Sequence, residues 1–541
     1  MIQTSLTAAT RSSSLRHGLL CTALMIGACV DGADLGDVPG ETEAVGGTEG
    51  TVADTEGGET AAETEETAAD TEADTEVGET EAGETEGETE SIGGCERIAA
   101  DPGDPHAWAL VCGTGATERI DVLEITPSGE MLVGIESRAL SGEPLPVWEF
   151  GEEQYTHTGL TNALLLRYDA AGELMWSRYF TSEEHVVLRN LAHCGDDFVI
   201  TGGASGGPAD FADGSFEEGE FIARFGPDGT LQWSHTFDVM GPNGHVTVAD
   251  AHCDTAGNLA IVGTVRDGVD FGDGMLPAAI SDGFVAKYDP DGALLFGMTL
   301  LEDSTADGAE AGRGKAVAVH DDGNTYVFLD HTAAVDFGTG PINPIHDSVG
   351  EQALLVRLSE TGDLLWSAPI GGQGLVYATD LLVDASGRAI VSGPFLSTVE
   401  LGGSSFGNVF PYDEQERDLV GTNYDAYIAA FESDGTYAWG EALGWMRDEE
   451  AELARFSANQ ALVYRVSDRE LSLRTHSADG SGGVFDAQFA DPNSARQYSL
   501  MRANDDVVLL AGSMGDALDW PFDASTYASG NGDAIVVHFD L

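Results

Sequence analysis

The chain has 541 residues, 94 acidic against 23 basic, and a formal net charge of −71. So acidic a chain repels nucleic-acid phosphate and anionic lipid, which excludes a nucleic-acid role. A hydrophobic content of 42% is enough to fill a core, and 70 Gly among short apolar runs points to an all-β protein with many tight turns.

Arg11, Arg16 and His17 precede an apolar run from Leu19 to Ala28. These are a charged n-region and an apolar h-region too short to cross a bilayer as a mature helix. The run ends in Ile26-Gly27-Ala28-Cys29, which resembles the bacterial lipobox. The resemblance implies that residues 1–28 are a lipoprotein signal peptide and that Cys29 becomes the lipidated N-terminus, held to a membrane by its acyl chains. Val30 rather than Asp follows the Cys. By the sorting rule of some Gram-negative lipoproteins this implies the outer membrane, with the protein surface-exposed.

From Asp31 to Glu90 the chain carries 22 acidic residues and no Lys or Arg. Nothing there builds a core, so residues 29–93 read as a disordered acidic linker. A flexible chain of this length spans ~45 Å, and like charges extend it further. The simplest use is a tether. Calcium uptake by its carboxylates is the alternative, although they lack the fixed oxygen cage that calcium prefers.

Four strand signals then recur at intervals of about 60 residues, the mark of a repeat architecture. The clearest copy is Phe284-Val285-Ala286-Lys287-Tyr288-Asp289-Pro290-Asp291-Gly292-Ala293-Leu294-Leu295-Phe296. It reads as a hairpin of two alternating apolar strands around an Asp-Pro-Asp-Gly turn. The turn between the first two strands of each repeat falls at Gly129, Gly195, Gly257, Gly323 and Gly387, with weaker copies near Asn459 and Asn504. Third strands begin at Leu164, Phe221, Phe284, Leu354, Tyr427, Leu471 and Ala534. Fourth strands carry Trp176, Trp233, Phe296, Trp366 and Trp439, each four residues after a turn Gly. A bulky ring at one repeated place suits packing between neighbouring sheets, so a row of sugar-stacking aromatics is the lesser reading. Asp210-Phe211, Asp270-Phe271, Asp336-Phe337, Glu400-Leu401 and Asp519-Trp520 recur between second and third strands. They read as loops whose apolar residue tucks under the sheet. The Asp-Phe-Gly triplets among them lack the phosphate loop and His-Arg-Asp motif of a kinase.

The chain ends in a third strand, Val536 to Leu541, with no fourth after it. The repeats open with a fourth strand, His106 to Val111, with no third before it. Joined, with Trp108 at the aromatic position, the two complete one sheet, and that closes a seven-bladed β-propeller over 94–541 without exposed edges. The repeated hairpins and Asp-x-x-Gly-Asn turns resemble the bacterial β-propeller repeat family called SBBP. That resemblance implies a secreted or surface protein, with no shared reaction and no functional residue to carry over.

Cys95, Cys112, Cys194 and Cys253 remain after Cys21 and Cys29 are set aside. An even number in an exported chain suggests two disulfides, with three pairings open. Cys95–Cys112 would staple the tether exit to the closing strand. Cys194 and Cys253, both in Ala-His-Cys, read as matching positions in adjacent repeats, and their pairing is the favoured one. A zinc site from His193, Cys194, His252 and Cys253 is the weaker alternative, because successive strand residues point to opposite faces. No nucleophile elbow, zinc-protease motif or P-loop is present, and the acidic turns lack EF-hand spacing. No cofactor is implied beyond the calcium just mentioned. Two functional readings follow. One is a monomeric, non-enzymatic binding or scaffold module for a protein or glycan. The other is a propeller enzyme of lyase, hydrolase or quinoprotein type at the mouth of the axial channel. Convergent His, Arg, Tyr and carboxylates there would favour the second; a plain apolar lining would favour the first.

Overall fold

The structure is a computed structural model. It describes residues 92–99 and 107–540, except 115, 141–144, 151–152, 212–213, 242, 279–281, 301–311, 347–349, 408–423, 444–449, 458–459, 468–469, 478–481, 491–495, 505–506 and 515–532. Cys29 and the linker lie outside the described residues, as does Asp519-Trp520. All described regular structure is β.

One motif recurs: four antiparallel strands in meander order. Sheet 1 holds Thr117–Ile125, Met131–Arg138, Thr161–Tyr168 and Leu174–Phe180. Sheet 2 holds His185–Cys194, Asp197–Ser205, Gly219–Phe225 and Leu231–Thr236. Sheet 3 holds His245–Cys253, Leu259–Arg266, Asp282–Tyr288 and Leu294–Thr299. Sheet 4 holds Gly312–Val319, Thr325–His331, Gln352–Leu358 and Leu364–Ile370. Sheet 5 holds Asp380–Val383, Ala389–Phe395, Asp425–Phe431 and Tyr437–Leu443. Sheet 6 holds Glu450–Ser457, Gln460–Ser467, Glu470–Ser477 and Gly482–Ala490. Sheet 7 takes Arg496–Ala503, Val507–Met514 and Asp533–Asp540 from the end of the chain, and Ala107–Gly113 from its beginning. Trp108 is paired with His538 across that junction, and their rings stack at 4.6 Å.

The first strands touch in turn: 1 to 2, 2 to 3, 3 to 4, 4 to 5, 5 to 6, 6 to 7, and 7 back to 1. Sheets that meet along their first strands and fan outward make a β-propeller. The core is a set of layers between neighbouring sheets, such as that of Phe198, Phe221 and Phe225 with Leu165 and Phe180. Third strands are therefore buried on both faces: every residue of Asp282–Tyr288 and of Asp425–Phe431 is buried. This corrects the expectation of alternation there, since a strand covered twice reads as a continuous apolar run. Phe211, Phe271, Phe337 and Leu401 are buried beneath their sheets.

Five of the repeat aromatics pack on the next sheet. The Nε1 of Trp233 donates to the Pro290 carbonyl at 2.9 Å, and its ring lies against Gly292. That glycine has φ +83°, and a Cβ on it would sit 2.9 Å from the ring. The same contact joins Trp176 to Gly229, Phe296 to Gly362, Trp366 to Gly435 and, across the chain ends, Trp108 to Gly172. Trp108 is buried, while Trp176, Trp233, Phe296, Trp366 and Trp439 are half-buried at the rim.

A second staple was not read from the sequence. The basic residue two places before the turn between third and fourth strands reaches into the next sheet. Lys287, with no exposed surface, donates to the Gly323 carbonyl at 2.7 Å. Arg224 pairs with Asp197 at 3.0 Å and donates to the Gly257 carbonyl at 2.8 Å. Arg167 bridges Pro227 O and Glu130, and Arg357 bridges Ser433 O and Asp322. The recurrence of Arg or Lys at this place in four repeats was the available signal.

The fold also opens earlier than expected. Ile92–Ala99 extends sheet 7 as a fifth strand, pairing antiparallel with Ala107–Gly113, and its start pairs parallel with Val147 and Trp148. Residues 92 and 93, placed in the linker by composition, therefore belong to a strand.

Candidate axial site

The ladder between first and second strands slips by one residue at Asp121, Arg189, Ala249, Lys315 and Ser499. A bulge leaves its extra residue out of the ladder and re-aims the side chain. In sheet 3 the partner is Gly263, where a Cβ would collide with the Thr247 carbonyl oxygen. The repeat thus aims selected side chains of its innermost strands.

Most of those side chains are charged and held by their own framework. Arg189 Nε lies 3.1 Å from Glu220 Oε2, and Glu220 Oε1 accepts the Val248 N–H of the next sheet at 3.0 Å. Lys315 Nζ lies 3.4 Å from Asp330 Oδ2, and Asp330 Oδ1 accepts the Ala378 N–H of the next sheet at 2.6 Å. The same triad of cation, buried carboxylate and neighbouring amide thus occurs at two joints. Arg119 binds Asp121 at 2.6 Å and Glu136 at 3.0 Å. Burial, aided by Glu136 and opposed by Arg119, pushes the Asp121 carboxyl up to about 8.

Asp250 shows that the first strands converge. Its carboxylate accepts the Val317 N–H at 2.7 Å and the Ala251 N–H at 2.8 Å. Enclosure by protein pushes it up to about 7; Asp380, from sheet 5, adds to the rise and Arg502, from sheet 7, opposes it. Groups from three separate sheets feel one another, yet Asp250, Asp380 and Arg502 all keep some solvent access. A water-accessible interior with charged walls is what a propeller axis provides. His185, His245 and Arg313 stand at or near the starts of their first strands; Arg313 is paired with Glu351, and the Tyr377 and Tyr424 rings lie 5.9 Å apart.

The sequence-selected cysteines are joined as Cys95–Cys112, with Cα atoms 4.0 Å apart, and Cys194–Cys253, 5.2 Å apart. Both Cys194 and Cys253 sulfurs are consumed in that bond, and the His252 Nδ1 accepts the Val319 N–H, so the zinc alternative falls. The two are not matching positions. Aligned on Gly202 and Gly263, Cys253 corresponds to His193, and Cys194 lies one residue further on. Among the described residues no three His, Cys, Asp or Glu side chains are grouped to hold a metal. The aromatic series lies at the outer rim, away from the axis.

No family model and no curated protein matches the chain. Among solved structures it is similar to the Dos1 propeller, at 10% identity over 78% of this chain and 92% of that one, with a TM-score of 0.36. It is similar to the β-propeller domain of the Trilobed protease from Pyrococcus furiosus, at 8% identity over 73% and 89%, TM-score 0.36. A third is an ulvan lyase of a polysaccharide lyase family, at 10% identity over 77% and 93%, TM-score 0.40. Likeness at this level assigns no activity.

Proposed function

We propose that the chain is an envelope lipoprotein, anchored through Cys29, whose seven-bladed, ring-closed propeller binds a protein or glycan partner without performing chemistry on it. One observation carries the non-enzymatic reading. The strongest charged groups on the axis are engaged by the framework: Arg189 with Glu220, Lys315 with Asp330, Arg119 with Asp121 and Glu136, and Asp250 with two backbone amides. Groups held in this way stiffen the joints between sheets and are poorly placed to exchange protons with a substrate. The lipobox, the acidic linker and the SBBP-like repeats support the address, and the contact of sheet 7 with sheet 1 supports the ring. A glycan array and a capture screen against envelope proteins, run with the full mature chain with and without calcium, test the binding role. Absence of any saturable partner overturns it. Loss of palmitate labelling and release from the membrane in C29S test the anchor.

A second reading rests on Asp121 and Asp250, whose carboxyls hold protons near neutrality. Such groups suit general-acid work in a lyase or hydrolase. Turnover of a polysaccharide panel, abolished in D250N, would favour it.

A further inference from the structure

The connection from sheet 2 to sheet 3 builds a small platform of its own. Asp238–Val239 pairs with Gly268–Asp270, which pairs in turn with Met275–Pro277, making a separate three-stranded sheet. Met240 extends the first of these strands, its N–H donating to the Gly268 carbonyl at 3.0 Å. The platform is anchored to sheet 3. Val269 and Phe271 are buried, the Phe237 and Phe271 rings meet edge-on at 5.7 Å, and the Thr299 hydroxyl donates to the Pro277 carbonyl at 2.9 Å. Side chains alternate across a sheet. Val239, Val269 and Leu276 therefore share one face, while Asp238, Asp270 and Met275, with Met240 and Pro277, share the other.

That second face is apolar and open. Met240 is 44% and Met275 41% exposed, and Pro277 is exposed with them. Met240 lies along the Gly268 backbone, where a Cβ would come 3.5 Å from its Cβ and Cε and 2.6 Å from the Leu276 carbonyl oxygen. The corresponding hairpins of three other repeats, Ala209–Phe211 with Gly214–Phe216, Val335–Asp336 with Pro341–Ile342, and Thr398–Leu401 with Ser404–Gly407, have two strands. Their Phe211, Phe216, Val335, Val399 and Leu401 are buried. Sheet 3 instead gains a third strand and turns methionines outward, and flexible thioethers suit contact with a partner. Asp238 and Asp270 stand directly opposite one another on the same face. Like charges so placed repel, and a cation laid beside them relieves the repulsion. A lysine or arginine side chain meets both demands. Its methylene stem covers the thioethers and the proline ring, and its charged head reaches the carboxylates. A neutral glycan would set hydroxyls against the methionines.

We propose that this face, with Met240, Met275 and Pro277 flanked by Asp238 and Asp270 over Gly268, docks a segment of a protein partner through a lysine or arginine side chain. The inference rests on the binding role proposed above and narrows it to a protein ligand at one place on the molecule. The probe is a bead-bound library of octapeptides whose central position is Arg, Lys, Gln or Glu and whose other positions vary, screened with the full mature chain. Bound beads should be enriched in Arg or Lys at that position. A selected peptide should bind D238N and M275Q about tenfold more weakly than wild type, with Tm unmoved because both changes are at exposed positions. Attraction of cationic peptides to the acidic linker is common to all three proteins, and M275Q leaves the charge unchanged. In protein labelled with ε-13C-methionine, the Met240 and Met275 resonances, assigned from M240L and M275L, should shift on titration. A library without preference for Arg or Lys, or a peptide bound equally by wild type and both variants, would overturn the inference and leave the binding role standing. A library that yields no binder also overturns it; the binding role falls only if the glycan array and the envelope capture are silent too.

Discussion

Lys287 and Gly292 show how one residue in a repeat serves the sheet beside it. Lys287 is enclosed and its pKa is lowered, chiefly by burial. Its ammonium therefore depends on the Gly323 carbonyl. K287A should cost about 3 kcal/mol by losing that charged hydrogen bond and the packed stem, and K287M should recover the packing share only. Urea unfolding of the three proteins reads both values. Gly292 combines a left-handed backbone with contact to the Trp233 ring. G292A should therefore cost about 2 kcal/mol or more, which thermal unfolding would register. Asp250 sets a pH dependence. Its folded carboxyl is raised to about 7 from a usual 3.8, so between these values the folded chain holds a proton that the unfolded chain releases. Its contribution is complete below about 4 and is lost as pH rises through 7. The Tm of wild type should fall more between pH 5 and pH 8 than that of D250N. Equal falls would show that Asp250 is not the titrating group.

At the scale of elements, the two disulfides do different work. Cys95–Cys112 fastens strand Ile92–Ala99 to the strand completing sheet 7, closing a 17-residue separation. Cys194–Cys253 ties the ends of two first strands together over a separation of 59. If loop entropy dominates, removing the first costs about 3 kcal/mol and removing the second about 4 kcal/mol. Paired Cys→Ala variants in denaturant would show that order, and the reverse would mean that native contacts govern. Hairpin turns and the two-cysteine bookkeeping were legible because both are local: Asp-Pro-Asp-Gly fixes a turn whatever surrounds it. The registration of Cys194 against Cys253 was not legible. Both strands bulge at the matching place, and the offset arises at the turn, where Cys194 pairs with Asp197 across two residues and Cys253 with Leu259 across five.

For the molecule as a whole, the junction of Asp533–Asp540 with Ala107–Gly113 joins the two ends of the described chain in one sheet. Each side leaves the other an unpaired edge if removed. A chain ending at residue 532 should therefore lose Trp108 burial and associate, and size-exclusion chromatography with tryptophan fluorescence would detect it. A truncated chain that stays monomeric with unchanged fluorescence would show that the closing strand is dispensable. The axial charges were unreadable for a related reason. Asp380 and Arg502 lie 130 and 252 residues from Asp250 along the chain, and only the packing of the sheets brings them within electrostatic reach.

By itself the sequence determined the all-β class, the strand order within each repeat, the turn positions and the aromatic that packs between sheets. These follow from periodicity and turn chemistry within a dozen or so residues. Only the tertiary structure decided which strands are covered on both faces, which cations staple neighbouring sheets, and which charges of separate first strands feel one another. Those outcomes depend on pairs of residues far apart in the chain, whose proximity exists only once the sheets have packed around their axis.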